Sequence, residues 1–172
     1  MIARDPLLGP GRALISASGS YRICVAAKRA SDGTITTFDA PGAYISLGFG
    51  TQPTDINADG VVVGNVLAIA APTDYQSFVR DAAGNFSVFN PPGVGPDGST
   101  ASGISESGVV VGSFTDPYTR HGYIHNSDGN IVVIDDPQAA AVETVVNGIN
   151  SAGAVVGFWF DSARAWHGFA RK

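Results

Sequence analysis

The run Gly108-Val-Val-Val-Gly112 decides the fold, because it recurs in register along the chain. One copy stands at 60–64 and another, Gly-Ala-Val-Val-Gly, at 153–157, so the spacings are 48 and 45 residues. Three further elements keep the same register. A short segment that contains Ile stands at 54–57, 102–105 and 147–150, and an aromatic segment at 76–78, 121–123 and 167–169. A segment that ends in Pro or Pro-Gly stands at 33–42, 84–93 and 129–137. A unit of about 45 residues that repeats in this way indicates a tandem-repeat architecture.

Each unit is predicted to contain four short strands. In the middle unit we place them near 100–105, 108–115, 121–126 and 130–135, with Asn-Ser-Asp-Gly at 126–129 as a hairpin turn. The second strand is apolar at consecutive positions, which is typical of a strand buried on both faces. Sheets packed face to face provide that burial, and four strands in ~40–45 residues is the length of a propeller blade. We therefore predict an all-β, β-propeller-like repeat of four-stranded antiparallel blades.

The repeat boundaries predict about three blades in the chain. We expect a poorly matched N-terminal segment at 1–21 and a single repeat domain at 22–172. We interpret residues 14–30 separately as a degenerate second and third strand. The blades are predicted at about 50–93, 94–139 and 140–172, the last closed by the strand at 33–43. Three blades are few for a ring, so two chains are expected to pair as a dimer that closes a six-bladed ring. A fragment of a longer repeat array is the competing interpretation.

Composition restricts the partners. The formal net charge is −5 and the ten Lys and Arg residues are scattered, so no basic face for nucleic acid is expected. Cys24 is the single cysteine, which excludes an intrachain disulfide and a cysteine zinc site. No apolar run approaches the ~20 residues of a membrane span, and no signal peptide is visible in the chain. A cation or an uncharged ligand suits this surface better than a polyanion, and the candidate partners are a small molecule or a glycan.

Three motifs resemble those of the HAF-repeat family of bacterial extracellular repeat proteins. They are Asp-Gly-Thr-Ile-Thr-Thr-Phe-Asp-Ala-Pro-Gly at 32–42, Gly-Ile-Asn-Ser-Ala-Gly at 148–153 and His-Gly-Phe at 167–169. The resemblance covers about 22–172 and recurs in register. It implies a secreted or cell-surface protein, and it implies no specific activity.

Two Asp–His pairs are candidate catalytic residues. Asp116 precedes His121 and Asp161 precedes His167, with each Asp at the end of the second strand and each His at the start of the third. A carboxylate that binds an imidazole fixes its tautomer and raises its pKa, as a general base or a metal ligand would need. Recurrence in tandem units is also what a structural network requires, and we favour that interpretation.

Three polar residues on the first strands are candidate metal ligands. Asp55, Asn57 and Asn150 would offer oxygen atoms to calcium if these strands line a central channel. The alternative is that the Asn side chains form the turn before the glycine that follows, which we favour.

Two functions from different classes follow. The first is a non-catalytic extracellular module that binds a ligand or a surface. The second is a calcium-dependent hydrolase of the lactonase or esterase type, with the metal in the channel and a histidine as base. Trp159 and Trp166 could form a sugar-binding platform, although we expect large aromatic residues here to pack between blades.

Overall fold

The structure is a computed structural model that describes residues 13–16, 25–29, 33–44, 50–67, 75–136 and 143–172. These residues form strands and turns without a helix, so no helix in this part of the chain could cross a membrane. The strands are β1 (Ala13–Ser16), β2 (Val25–Arg29), β3 (Ile35–Phe38), β4 (Thr51–Ile56), β5 (Val62–Val66), β6 (Gln76–Arg80), β7 (Phe86–Phe89), β8 (Ser99–Ile104), β9 (Val110–Thr115), β10 (Arg120–His125), β11 (Ile131–Ile134), β12 (Glu143–Ile149), β13 (Val155–Phe160) and β14 (Trp166–Arg171).

The chain folds as a series of antiparallel sheets whose strands follow the chain order, as the repeat predicts. We call β4–β7 the first blade, β8–β11 the second blade and β12–β14 the third blade, and β1–β3 the N-terminal sheet. A single parallel bridge between Arg120 and Glu143 joins the second blade to the third. The all-β, propeller-like fold is confirmed, and the strands of the middle unit lie within two residues of their predicted positions.

Two glycines explain why the run at 108–112 recurs in each unit of the fold. Gly108 has φ = 83°, a left-handed conformation that favours glycine, and it closes the turn between β8 and β9. Gly112 of β9 pairs with Ala101 of β8, directly beside the β-bulge of that strand. A Cβ atom at Gly112 would overlap the Thr100 carbonyl oxygen and lie 2.7 Å from the Tyr123 hydroxyl. Because the bulge recurs in β4 and β12, a glycine is required at the same point of each unit.

The core lies in layers between neighbouring sheets. Val63 of the first blade and Val111 of the second are completely buried, each under the sheet that follows it in the chain. The N-terminal sheet packs on the first blade through Phe38 and Ala40, which contact Phe78 and its apolar neighbours. Burial on both faces of the second strand, predicted from its apolar run, is therefore produced by sheet stacking.

The strand predicted to close the third blade pairs elsewhere in the structure, and this part of the prediction is wrong within the chain. Residues 35–38 form β3, which pairs with β2 in the register Ala26–Phe38 to Arg29–Ile35. β1 and β2 thus occupy the second- and third-strand positions expected in 14–30, and β3 is their fourth strand. A hairpin between strands close in sequence costs less chain entropy than closure across the whole chain. The predicted segment at 1–21 lies largely outside the described residues.

Candidate functional site

The Asp–His pair of the second blade is built on the turn between β9 and β10. Asp116 Oδ1 accepts hydrogen bonds from the backbone N–H groups of Tyr118 at 2.7 Å and Thr119 at 2.6 Å, which fixes the turn. Its other oxygen, Oδ2, lies 3.3 Å from His121 Nε2. The backbone N–H of Tyr118, then that of Thr119, and the neighbouring imidazole hold the pKa of Asp116 below its usual value. The carboxylate therefore serves the turn and the histidine at once.

His121 lies between two carboxylates. Its Nδ1 is 2.9 Å from Asp135 Oδ2, and its ring packs on Phe114 with centroids 5.2 Å apart. Partial burial opposes protonation of the imidazole, but the hydrogen bonds to Asp135 and Asp116 outweigh it and raise the pKa of His121. Since both ring nitrogens contact carboxylates, the protonated imidazolium is the form that this geometry stabilises.

Asp135 is a member of this site that the sequence interpretation missed. Its position in the repeat is that of residues 39 and 90, each two residues before a proline, where a polar side chain usually caps a turn. The signal was present in the repeat, because Asp135 follows the fourth strand at the point where the register of β10 and β11 brings it opposite His121. Only the pairing of these two strands shows the contact.

The third blade carries a simpler pair. Asp161 Oδ1 accepts from the N–H groups of Ala163 and Ala165, both at 2.8 Å, and Oδ2 lies 3.1 Å from His167 Nε2. The backbone N–H of Ala165 and then His167 lower the pKa of Asp161. His167 stacks on Trp159, with centroids 4.3 Å apart and planes 20° apart. The two pairs share one construction: a carboxylate that caps a turn and holds the histidine that starts the next strand.

The three predicted metal ligands are engaged in turns and between blades. Asn57 Oδ1 accepts from Val61 N at 3.0 Å, and Asn150 Oδ1 accepts from the N–H groups of Ala152 and Ala154. Asp55 Oδ2 accepts from Ile104 N of the second blade at 3.0 Å. These contacts fit turn formation and blade docking better than a calcium site. In the described part of the chain, no group of three or more His, Cys, Asp or Glu side chains is placed to hold a metal.

A repeated pair of hydrogen bonds holds each blade to the next. Ala101 donates its N–H to Asn65 Oδ1 at 2.7 Å, and its carbonyl accepts from Thr54 Oγ1 at 2.9 Å. At the next interface, Val146 donates to Ser113 Oγ at 2.9 Å and accepts from Ser102 Oγ at 2.6 Å. The small polar side chains of Thr54 and Ser102, on the first strands of their blades, therefore connect neighbouring blades.

The third blade presents an uncovered apolar face. Val156 is 49% exposed, whereas its equivalents Val63 and Val111 are 0% exposed beneath the following blade. Trp166, on the same face, is 68% exposed, so the prediction that it packs between blades is wrong. The same prediction is confirmed for Trp159, which is buried on the opposite face of the sheet. Inter-blade packing thus stops at this face within the described residues.

Comparison with known proteins gives one structural likeness. No family model matches the chain, and no curated protein matches it. The chain is similar to a solved structure titled "Streptogramin B lyase structure", with 14% sequence identity and a TM-score of 0.48. The likeness covers 90% of this chain and 53% of the other, so the chain spans about half the length of that structure.

Proposed function

We propose that the chain is a non-catalytic repeat module that works by binding, and that it binds through the open face of the third blade. The observation that carries this proposal is the difference in exposure between Val156, which is exposed, and its equivalents Val63 and Val111, which are buried. Natural monomers rarely expose a contiguous apolar patch, and such patches mark interaction surfaces.

Aromatic stacking organises this face. The rings of Phe158 and Trp166 stack with centroids 4.7 Å apart, and Phe160 meets Trp166 edge-on at 4.8 Å. Phe158 stands where the two preceding blades carry the acceptors Asn65 and Ser113. The face is therefore more apolar than the internal interfaces, and each large side chain fully buried there would contribute about 1.5–3 kcal/mol.

The occupant that we assign to the open face is a sheet of a second copy of this chain. In the first and second blades the same face is covered by a sheet of the same repeat, so the open face continues an interface already built twice. Association of two chains would extend the stack, as ring closure by a dimer requires. A glycan that stacks on Trp166 is the competing occupant.

The non-catalytic part of the proposal is supported by how the Asp–His pairs are used. Asp116 and Asp161 each cap a turn, and His121 has a carboxylate on both ring nitrogens. A general base needs a nitrogen that can reach a substrate proton.

We also propose an extracellular location, on the resemblance to HAF repeats. Detection of the full-length native protein only in washed-cell fractions would contradict this proposal.

The test is sedimentation velocity over a range of concentrations, with Trp166→Ser and Tyr118→Ser compared. Tyr118 is 93% exposed on a turn of another blade, so it controls for the loss of an exposed aromatic ring. We expect concentration-dependent dimers of the wild type and of Tyr118→Ser, and monomers of Trp166→Ser. A wild type that stays monomeric at ~100 μM would contradict the second-copy assignment, and glycan binding lost in Trp166→Ser would give the face to a sugar.

A second measurement tests the absence of catalysis. Acid release from a panel of small lactones and esters is followed by pH-stat, with calcium and again with excess chelator. We expect no release above buffer in either condition. Calcium-dependent release that Asp55→Ala abolishes would overturn the proposal and support the hydrolase alternative.

A further inference from the structure

The outer edge of β11 has no partner strand in the described part of the chain. A bond of 2.9 Å from the Asn126 N–H to the Asn130 carbonyl closes the hairpin between β10 and β11. Because bonded and non-bonded pairs alternate along an antiparallel ladder, Val132, opposite Ile124, turns its N–H and C=O toward β10. The backbone groups of Val133 therefore point outward, where no described strand pairs with them.

Every fourth strand of the repeat leaves the same edge free. Among the described residues, β3, β7 and β11 each pair with the preceding strand alone. The chain is described without a gap from 75 to 136, and after β7 it crosses to β8 of the next blade instead of covering β7. The repeat itself thus places no strand on the outer side of a fourth strand.

β11 is the most apolar of these three edges. Its two central residues, Val132 and Val133, are 42% and 43% exposed. At the same positions β3 carries two threonines, and β7 carries a serine beside Val88. An exposed edge strand with apolar side chains at each position is a template for pairing with another strand.

Carboxylates stand at both ends of the β11 edge. Asp128 precedes the strand, and Asp135 and Asp136 follow it. Asp128 uses Oδ1 to accept the Asn130 N–H at 2.8 Å, and Asp135 uses Oδ2 to bind His121. The second oxygen of Asp128 and that of Asp135 have no protein donor among the described residues. Acidic residues at the two ends of an apolar edge favour a strand with a cation opposite each of them.

The same charges disfavour a second copy of β11 as the occupant. Antiparallel pairing about a two-fold axis at the strand centre brings Asp128 of each copy beside Asp136 of the other. Like charges that face each other across two strands destabilise their pairing, and the formal net charge of the whole chain is −5. The edge therefore selects against its own copy and in favour of a strand of opposite charge.

We propose that the outer edge of β11 is a docking site for an extended segment of a partner protein in which basic residues flank a β-branched centre. The segment adds as an antiparallel strand and exchanges backbone hydrogen bonds with Val133. Its β-branched side chains pack beside Val132 on one face and Val133 on the other, because successive side chains of a strand alternate between faces. Its Lys or Arg residues pair with Asp128 at one end and with Asp135 at the other.

The probe is a fluorescently labelled peptide of the sequence Lys-Arg-Val-Thr-Val-Thr-Lys-Arg, titrated by fluorescence anisotropy. We expect saturable binding that weakens as salt is added, because salt screens the exposed carboxylates. One control peptide carries Glu in place of its basic residues, and another keeps those residues and carries Pro in place of Val and Thr. Neither control should bind, and equal binding of the proline peptide would overturn the proposal.

Variants of the edge strand test the backbone contact. Val133→Pro should abolish binding, because proline removes the outward N–H while an edge strand tolerates it. Val88→Pro makes the same change on β7 and should leave binding unchanged. Val133→Lys keeps the backbone N–H and should also abolish binding, through repulsion of the basic peptide. Melting temperatures show which variants are folded, and binding that either folded variant of Val133 retains in full would overturn the proposal.

A matched pair of substitutions tests the charge. Asp128→Asn keeps the acceptor for the Asn130 N–H and should weaken binding about two- to fivefold, the range of an exposed ion pair. Asp59→Asn removes the same charge from an exposed turn between β4 and β5 and should leave binding unchanged. Equal weakening by the two substitutions would assign the binding to net charge and overturn the proposal.

This site is independent of the aromatic face of the third blade, and the experiment separates the two. Trp166→Ser should retain peptide binding, because Trp166 lies on another blade. A dimer of the wild type that Val133→Pro dissolves but Trp166→Ser preserves would assign the edge to a second copy and overturn the assignment to a basic segment.

Discussion

Replacing His121 with glutamine tests whether the Asp–His network is a structural brace. The imidazole is 22% exposed and contacts Asp116 at 3.3 Å and Asp135 at 2.9 Å. Partly exposed ion pairs contribute about 0.2–1 kcal/mol each, so the loss of the imidazolium should cost about 1 kcal/mol at pH 6. For a chain of this length that corresponds to a fall of about 2–4 °C in the melting temperature.

The dependence on pH has a definite sign. The pKa of His121 is raised in the folded state, so its stabilising contribution is complete below the unfolded value of 6.5 and is lost as the pH rises through the folded pKa. The wild type should therefore exceed His121→Gln in melting temperature at pH 6, and the gap should narrow by pH 9. Asp116 stays ionised over this range, because the hydrogen bonds from the backbone N–H groups of Tyr118 and Thr119 hold its pKa below the usual value.

Scanning calorimetry of the two proteins at pH 6, 7.5 and 9 is the assay. Asp135→Asn and the double variant complete a cycle that isolates the coupling between the two side chains. A gap that is the same at pH 6 and pH 9, or that widens at high pH, would refute the ion-pair explanation. An unchanged melting temperature at pH 6 would refute the structural role itself.

Two further predictions concern the repeat. In urea denaturation, Gly112→Ala should lower the free energy of unfolding by more than about 3 kcal/mol, because the added Cβ overlaps the Thr100 carbonyl oxygen. Gly148→Ala, whose Cβ has no atom within 4 Å, should change the free energy of unfolding by about 1 kcal/mol or less. Asn65→Leu removes the acceptor for the buried N–H of Ala101 and should lower the free energy of unfolding by about 1–3 kcal/mol in the same measurement. A loss below about 0.5 kcal/mol would show that the inter-blade hydrogen bond is dispensable.

The sequence by itself determined the repeat, the strands of each unit and the all-β class. These follow from local requirements: a glycine with positive φ at Gly108, a glycine beneath a carbonyl at Gly112, and an apolar run buried on both faces. It also identified Asp116 with His121 and Asp161 with His167, since each pair flanks one hairpin and its distance is fixed by that turn.

Only the tertiary structure decided how the units join. The sequence placed a strand at 33–43 but could not tell whether it pairs with the strand before it or with the far end of the chain, because the motif is the same in both arrangements. The contact between His121 and Asp135 and the exposure of Trp166 likewise depend on which strands and sheets lie next to each other. Each unit specifies its own hairpins locally, whereas the faces and edges left uncovered are set by the order in which the sheets stack.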